Sequence, residues 1–490
     1  MRIPRILLSA TSSGSGKTLI TCGLMNLLQK RGLTVASYKC GPDYIDPMFH
    51  RTVIGTKSQN LDAFFTDEDT LRNLFVQHAS DCDIAVTEGV MGFYDGVAGI
   101  TTKASAYDVA RITKTPAILL IDARGASVSL AAEVQGFVNF QKDSQIRGVI
   151  LNRLSPMMYG RMKKLIEETA GVKVLGYVPV LKDCTLESRH LGLLLPEEVA
   201  DLKGKLDTLS EILEDSLEVD EILKLAEGAV DISGKSVSSG GKAVAKETDG
   251  TNQNESEKNF CKNLKKKPRV GLAKDEAFCF IYKENIELLE SLGAEIVLFS
   301  PLKDEKLPEN LDGLLLYGGY PELHAKELSD NISMREAMRE SILGGLPTVA
   351  ECGGFMYLNS TMTDMDGESW PMADVLQGNS ENKGKLNRFG YITLKDVTAF
   401  GQYVGDVPAH EFHYFDSTNS GDTFTAQKPE SIRKWKCMHS TDTLLAGFPH
   451  LYYYGNPGVA KSFVAACEKH LQERLQIQSI DNKEQGGAEI

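Results

Sequence analysis

Short apolar runs recur along the first half of the chain. Each is closed by a polar or glycine-rich turn and followed by apolar positions at helical spacing. Runs at 5–10, 34–38, 84–88, 117–122 and 148–152 predict strands, with helices at 17–31 and 126–140 between them. Such alternation predicts a mostly parallel sheet wrapped by helices, with ligands gathered at the carboxyl ends of its strands. The pattern stops between 232 and 267, where "SGKSVSSGGKAVAKETDGTNQNESEKN" holds almost no large apolar residue. That composition predicts a flexible linker, and Lys265-Lys266-Lys267 reads as its solvated end. Alternation resumes with predicted strands at 269–273, 311–317 and 346–351. The expected organisation is therefore α/β with two domains, 1–231 and 268–475, and a polar tail at 476–490 that should fray.

Composition narrows the function classes. The chain has 490 residues, too many for one core, with 42% apolar and 24% charged content. No apolar run approaches the length of a membrane span, and the segment after Met1 reads as a first strand rather than a signal peptide. A formal charge of −14 argues against a nucleic-acid binder but leaves room for a local basic pocket. Nine cysteines are scattered without a C-x-x-C pair. That argues against a disulfide framework or structural zinc, and a reducing cytoplasm is expected.

Chemistry concentrates where the predicted strands end. "TSSGSGKTL" at 11–19 follows the run Ile6-Leu7-Leu8 and precedes a helix. Gly14, Ser15 and Gly16 allow backbone N–H groups to close around phosphate oxygens, Lys17 reaches the terminal phosphates and Thr18 suits Mg²⁺. Thr11 stands where a phosphate-binding loop usually begins with glycine. After the second strand, "YKCGPDYIDPMFH" supplies Lys39, which can bridge phosphate and substrate charge, and Asp43 and Asp46, either Mg²⁺-binding acids or turn caps. Glu88 ends a strand at the position of a Walker B acid, followed by Gly89, Gly92, Asp95 and Gly96.

In the second half, Cys352 lies between a predicted strand and helix in "PTVAECGGFMYL". This is the layout of a nucleophile elbow, with Gly353 behind it and Gly318-Gly319 in "LLLYGGYPELHA" as a second source of oxyanion donors. A thiol at a helix N-terminus is expected to have a lowered pKa. Its base would be one of His410, His413, His439 and His450, among which spacing does not choose.

Taken together, "GPDYIDPMFH", "EGVMGFYDG", "RHLGL", "LYGGYPELHA", "AECGGFMYL" and "HEFHY", in this order, resemble the cobyrinate a,c-diamide synthase family over nearly the whole chain outside linker and tail. The first domain is similar to dethiobiotin synthetase, whose loop also lacks the first glycine. The second is similar to a flavodoxin-like class I glutamine amidotransferase. The resemblance implies amidation of two corrinoid carboxylates, with ATP and L-glutamine as co-substrates, Mg²⁺ as cofactor and a tetrapyrrole as partner. No membrane or nucleic-acid partner is expected; a homodimer is one assembly left open, the oligomeric state not being set by the sequence. It makes Cys352 the glutaminase nucleophile and His450 its base. It ties Thr18, Asp43 and Glu88 to metal, Asp46, Asp95, Arg189 and His190 to substrate and activation, and Asn152 to adenine. Two residues after His450, where a triad acid is expected, stands Tyr452, which leaves a Cys–His dyad. The alternatives are the same chemistry on nickel sirohydrochlorin or hydrogenobyrinate, a P-loop partitioning or regulatory ATPase, and, given Tyr452, a non-catalytic cobyrinate-binding homologue with a degenerate amidotransferase.

Overall fold

The computed structural model describes residues 2–181, 188–189, 192–193, 202–232 and 266–486. The expected linker at 232–267 lies outside the described residues except at its ends. The chain divides into two compact units, Met1–Ser238 and Ser239–Ile490. Among the described residues no helix is long and apolar enough to cross a membrane.

Unit 1 is built on seven parallel strands: β1 (Arg5–Ala10), β2 (Val35–Cys40), β3 (Lys57–Leu61), β4 (Ile84–Glu88), β5 (Ala117–Asp122), β6 (Ile146–Asn152) and β7 (Lys173–Val178). Their order is β3-β2-β4-β1-β5-β6-β7. Interior strands such as β1 and β2 are buried at every position and mostly apolar, with Arg5, Ser9, Ser37 and Lys39 as buried polar exceptions. Pattern alone missed β3 and β7. β3 has the sequence KSQNL, yet Ser58, Gln59 and Asn60 are buried there. Helix α1 (Lys17–Lys30) packs its apolar face on the sheet. The register sets Lys39 beside Glu88 and Glu88 beside Leu8, so β1, β2 and β4 deliver their carboxyl ends to one place.

Unit 2 carries a second α/β sheet. Its strands run, in spatial order, Glu295–Phe299, Arg269–Ala273, Gly313–Leu316, Thr348–Glu351 and Leu444–Gly447, all parallel. In chain order this is 2-1-3-4-5, the flavodoxin-like arrangement. The strand His439–Ser440 closes the edge antiparallel. A separate five-stranded sheet contains the long hairpin Arg388–Ala399 and Gln402–His413, on which His450–Leu451 pairs as an edge. The polar tail, expected to fray from 476, is helical within Pro457–Gly486; its Gln, Glu and Lys residues are good helix formers.

The turn between Thr348–Glu351 and helix Gly353–Leu358 is the tightest point of unit 2. A Cβ on Gly354 would lie 2.0 Å from the Leu316 carbonyl oxygen, a backbone atom that cannot swing aside. Gly354→Ala is therefore expected to destabilise unit 2 by about 3 kcal/mol, measured as a lowered denaturant midpoint; an unchanged midpoint contradicts this packing.

Candidate active site

The phosphate-binding loop enters α1 through Gly16, whose φ of 89° favours glycine. A Cβ at Gly16 would also meet the Asn152 amide nitrogen at 2.7 Å. Thr11 is absent from the described non-glycine residues with positive φ, so the first loop position makes no demand for glycine. The Ser15 hydroxyl donates to the Ser12 carbonyl at 2.9 Å. Lys17 Nζ donates to the carbonyls of Ser12 at 3.1 Å and Met91 at 2.5 Å. Asn152, which the resemblance ties to adenine, donates to the Ser15 carbonyl of the loop at 2.8 Å and accepts from the N–H of the next residue, Arg153, at 2.9 Å.

Behind the loop lies a buried ionic cluster. The Thr18 hydroxyl donates to Glu88 Oε1 at 2.6 Å and reaches Asp46 Oδ2 at 3.3 Å. Lys39 Nζ pairs with Glu88 Oε1 at 2.7 Å and with Asp46. On the far side, His50 Nε2 lies 3.1 Å from Glu88 Oε2 while its Nδ1 meets Ser58 Oγ at 3.3 Å. Burial works to raise the Glu88 carboxyl, but Lys39 and then His50 outweigh it and hold it well below the usual carboxylate range. Burial also pulls Lys39 down, yet the Asp46 and Glu88 carboxylates win and keep it charged. Burial and then Asp43 push Asp46 up.

Of the two acids in "GPDYIDPMFH", Asp46 touches Thr18. Asp43 Oδ1 instead accepts from the Ile45 and Asp46 N–H groups at 2.8 and 3.2 Å, capping its own short helix. Asp95 accepts from Gly92 N–H at 2.9 Å and shapes the glycine-rich loop after Glu88. Arg189 lies in a two-residue strand whose side chain is not described, and His190 lies outside the described residues. His50 was not singled out by the sequence. Its place at the end of the same motif was the available signal; the fold buries it fully.

In unit 2, Cys352 has φ 48° and ψ −105°, a conformation disfavoured for a non-glycine residue and expected of a nucleophile elbow. A Cβ on Gly318 would lie 2.8 Å from His450 Cε1 and 3.5 Å from Cys352 Cβ, so thiol-bearing residue and imidazole flank one glycine. The Gly319 nitrogen faces Gly353, 3.2 Å from where a Gly353 Cβ would be. Gly319 N–H donates to no other described residue, which leaves it available to an oxyanion. The lowered thiol pKa expected from the sequence is not found: burial, then the Glu322 charge, push the Cys352 thiol up. The helix behind it has only six residues, and desolvation overrides its dipole. Burial, with His413 adding to it, lowers His450 to about 3, so its imidazole is neutral and able to accept a proton.

The other three candidate histidines have partners of their own, His410 beside His450 itself. His410 stacks behind His450 with centroids 4.8 Å apart, His413 stacks on Phe448 at 4.0 Å, and His439 Nε2 meets the Asn419 carbonyl at 3.1 Å. Sequence reasoning also missed Glu351, directly before Cys352, whose Oε2 lies 3.9 Å from His450 Nδ1.

These two sites define a class, a phosphate-binding α/β unit joined in one chain to a thiol-dependent amidotransferase unit. Residues 6–193 match the CobQ/CobB/MinD/ParA nucleotide binding domain, and residues 269–453 match the CobB/CobQ-like glutamine amidotransferase domain. The chain is 36% identical to the cobyrinate a,c-diamide synthase of Listeria innocua, covering 95% of this chain and 100% of that one. It is 38% identical to the enzyme of the same name from Clostridium acetobutylicum, covering 94% and 99%. A third, from Picrophilus torridus, is 36% identical over 95% and 99%. The chain belongs to the cobyrinate a,c-diamide synthase family.

Burial, then the like charge of Lys39, lowers the Lys17 ammonium to about 8. Phosphate binds its charged form. Nucleotide affinity should therefore be level below pH 8 and fall as pH rises through it, approaching about tenfold per pH unit, with proton uptake on binding in calorimetry. Affinity that rises through the same window contradicts this environment for Lys17.

Proposed function

We propose that this protein amidates the a and c acetate carboxylates of cobyrinate, a corrinoid intermediate of cobalamin biosynthesis, using ATP and the amide nitrogen of L-glutamine. The observation that carries this reading is full-length similarity to relatives of that name, with a phosphate loop and an elbow cysteine both intact.

A carboxylate resists attack by ammonia because its carbonyl carbon is shielded by negative charge. Transfer of the γ-phosphoryl group of ATP onto it yields an acyl phosphate, which ammonia displaces to give amide and inorganic phosphate. Lys17 follows the phosphates, exchanging the Met91 carbonyl for phosphate oxygens. Lys39, fixed between Asp46 and Glu88, keeps a positive charge beside the transferring group and brings two acceptors with it. The Thr18 hydroxyl is a hard oxygen at the start of the helix and suits Mg²⁺ beside the phosphates, whereas Glu88 Oε1 and Asp46 Oδ2 already pair with the Lys39 ammonium and reach the ion only if they share it with Lys39. When bound, Mg²⁺ supplies charge neutralisation across the phosphate oxygens.

At the other site, His450 takes the Cys352 proton as sulfur attacks the glutamine amide. The N–H groups of Gly319 and Gly353 receive the developing oxyanion, and His450 returns the proton to the departing ammonia. Water then releases glutamate from the thioester.

Incubation of cobyrinate with enzyme, ATP, Mg²⁺ and glutamine should replace two hydroxyls by amino groups, read by mass spectrometry; hydrogenobyrinate and nickel sirohydrochlorin serve as rival acceptors. Cys352→Ala should lower glutamine-supported amidation by at least about 10³-fold while amidation with added ammonia continues. Preferred conversion of a rival acceptor overturns the substrate assignment, and retained glutamine use in the Ala variant overturns the role of Cys352.

A further inference from the structure

The position where a triad acid is expected holds Tyr452, which is 1% exposed with its ring edge-on to Tyr282 at 5.2 Å. The carboxyl beside His450 comes from elsewhere in the chain. Glu351 ends the strand that delivers Cys352 and pairs in register with Gly447 on the neighbouring strand. Shortly after Gly447 the chain forms the strand His450–Leu451, which pairs on the neighbouring five-stranded sheet. The histidine thereby lies beside the glutamate although the two are far apart in sequence.

The contact is built rather than incidental. Glu351 is 1% exposed and His450 is 2% exposed. Glu351 Oε2 accepts the Leu451 N–H at 3.3 Å, and the Leu451 carbonyl accepts from Asn285 Nδ2 at 2.8 Å, so the residue after the histidine is held on both sides. Glu351 Oε1 has no hydrogen-bond partner among the described residues. An acceptor of the Leu451 N–H need only be an oxygen, and an amide would serve. Burying an acid with a spare oxygen costs free energy that a backbone cap does not repay.

We propose that Glu351 is the positioning residue of the glutaminase site: its carboxyl receives the Nδ1–H of His450, fixing the tautomer that leaves Nε2 as the base for Cys352. The residue thus supplies from before the nucleophile what the fold class usually takes from after the histidine. Closing 3.9 Å to hydrogen-bond distance needs a shift of about 1 Å, within the tightening expected between a free site and one holding substrate. The proposal rests on Cys352 and His450 acting as described above.

The test compares Glu351→Gln and Glu351→Asp with the parent enzyme and Cys352→Ala, measuring glutamine-supported and ammonia-supported amidation. The amide of Glu351→Gln still accepts from Leu451, so a purely structural role predicts no change. Positioning predicts a fall in glutamine-supported kcat of about 10²-fold or more at unchanged glutamine KM. The ammonia-supported reaction, which does not use this pair, is the fold control. Glu351→Asp keeps a carboxyl and should recover at least a tenth of the parent rate. A Gln variant within threefold of the parent overturns the proposal. So does equal loss of both reactions in the Gln and Asp variants, which would make Glu351 a folding residue. Retained glutamine use in Cys352→Ala would instead overturn the underlying reading, so the two failures are distinguishable.

Discussion

The ion pair between Lys39 and Glu88, sealed under the phosphate loop, is the interaction on which the chemistry of unit 1 depends. Burying two charges costs several kcal/mol each, recovered only when geometry and secondary hydrogen bonds are good. Here Glu88 is satisfied by Lys39, Thr18 and His50 together. Adjacent parallel strands in register place Lys39 and Glu88 side by side, so the pair is a consequence of sheet order rather than of loop conformation. A positive charge is thereby kept beside an anionic reaction at a neutral pH, without a long flexible side chain having to find its place.

Unit 2 solves the opposite problem. Cys352 and His450 are both buried and neutral at rest, so in the proposed reaction charge separates between sulfur and imidazole only as the thiol attacks. Two features compensate for the missing charge. The elbow backbone of Cys352 is held in a strained conformation, and Gly318 permits an approach between cysteine and histidine that any side chain would block. In the proposed reaction the N–H groups of Gly319 and Gly353 meet charge where it develops rather than where it already exists.

Much of this was legible in the chain. Apolar runs gave β1, β4 and β5 with their observed limits, because most positions of strands buried on both faces are apolar. β3 was hidden because its buried residues are polar: Ser58 serves His50, and Asn60 donates to the carbonyls of Gly41 and Asp43. A strand whose interior is hydrogen-bonded rather than greasy carries no periodic signal. Residue types also pointed to Lys17, Thr18, Glu88 and Cys352, whose neighbours in sequence define their surroundings. Contacts made across the sheet were another matter. Which of Asp43 and Asp46 faces Thr18 depends on which one caps the helix, and spacing does not encode that. Glu351 was invisible for the same reason: its relation to His450 exists only once two strands have paired.

The central claim is that nitrogen freed at a thiol in unit 2 meets an acid that ATP has made electrophilic at unit 1. The most direct measurement labels the acceptor carboxylates of cobyrinate with a heavy oxygen isotope and follows it during glutamine-dependent turnover. Passage through an acyl phosphate transfers one labelled oxygen into inorganic phosphate for every amide formed. Unlabelled phosphate alongside normal amide formation would contradict it.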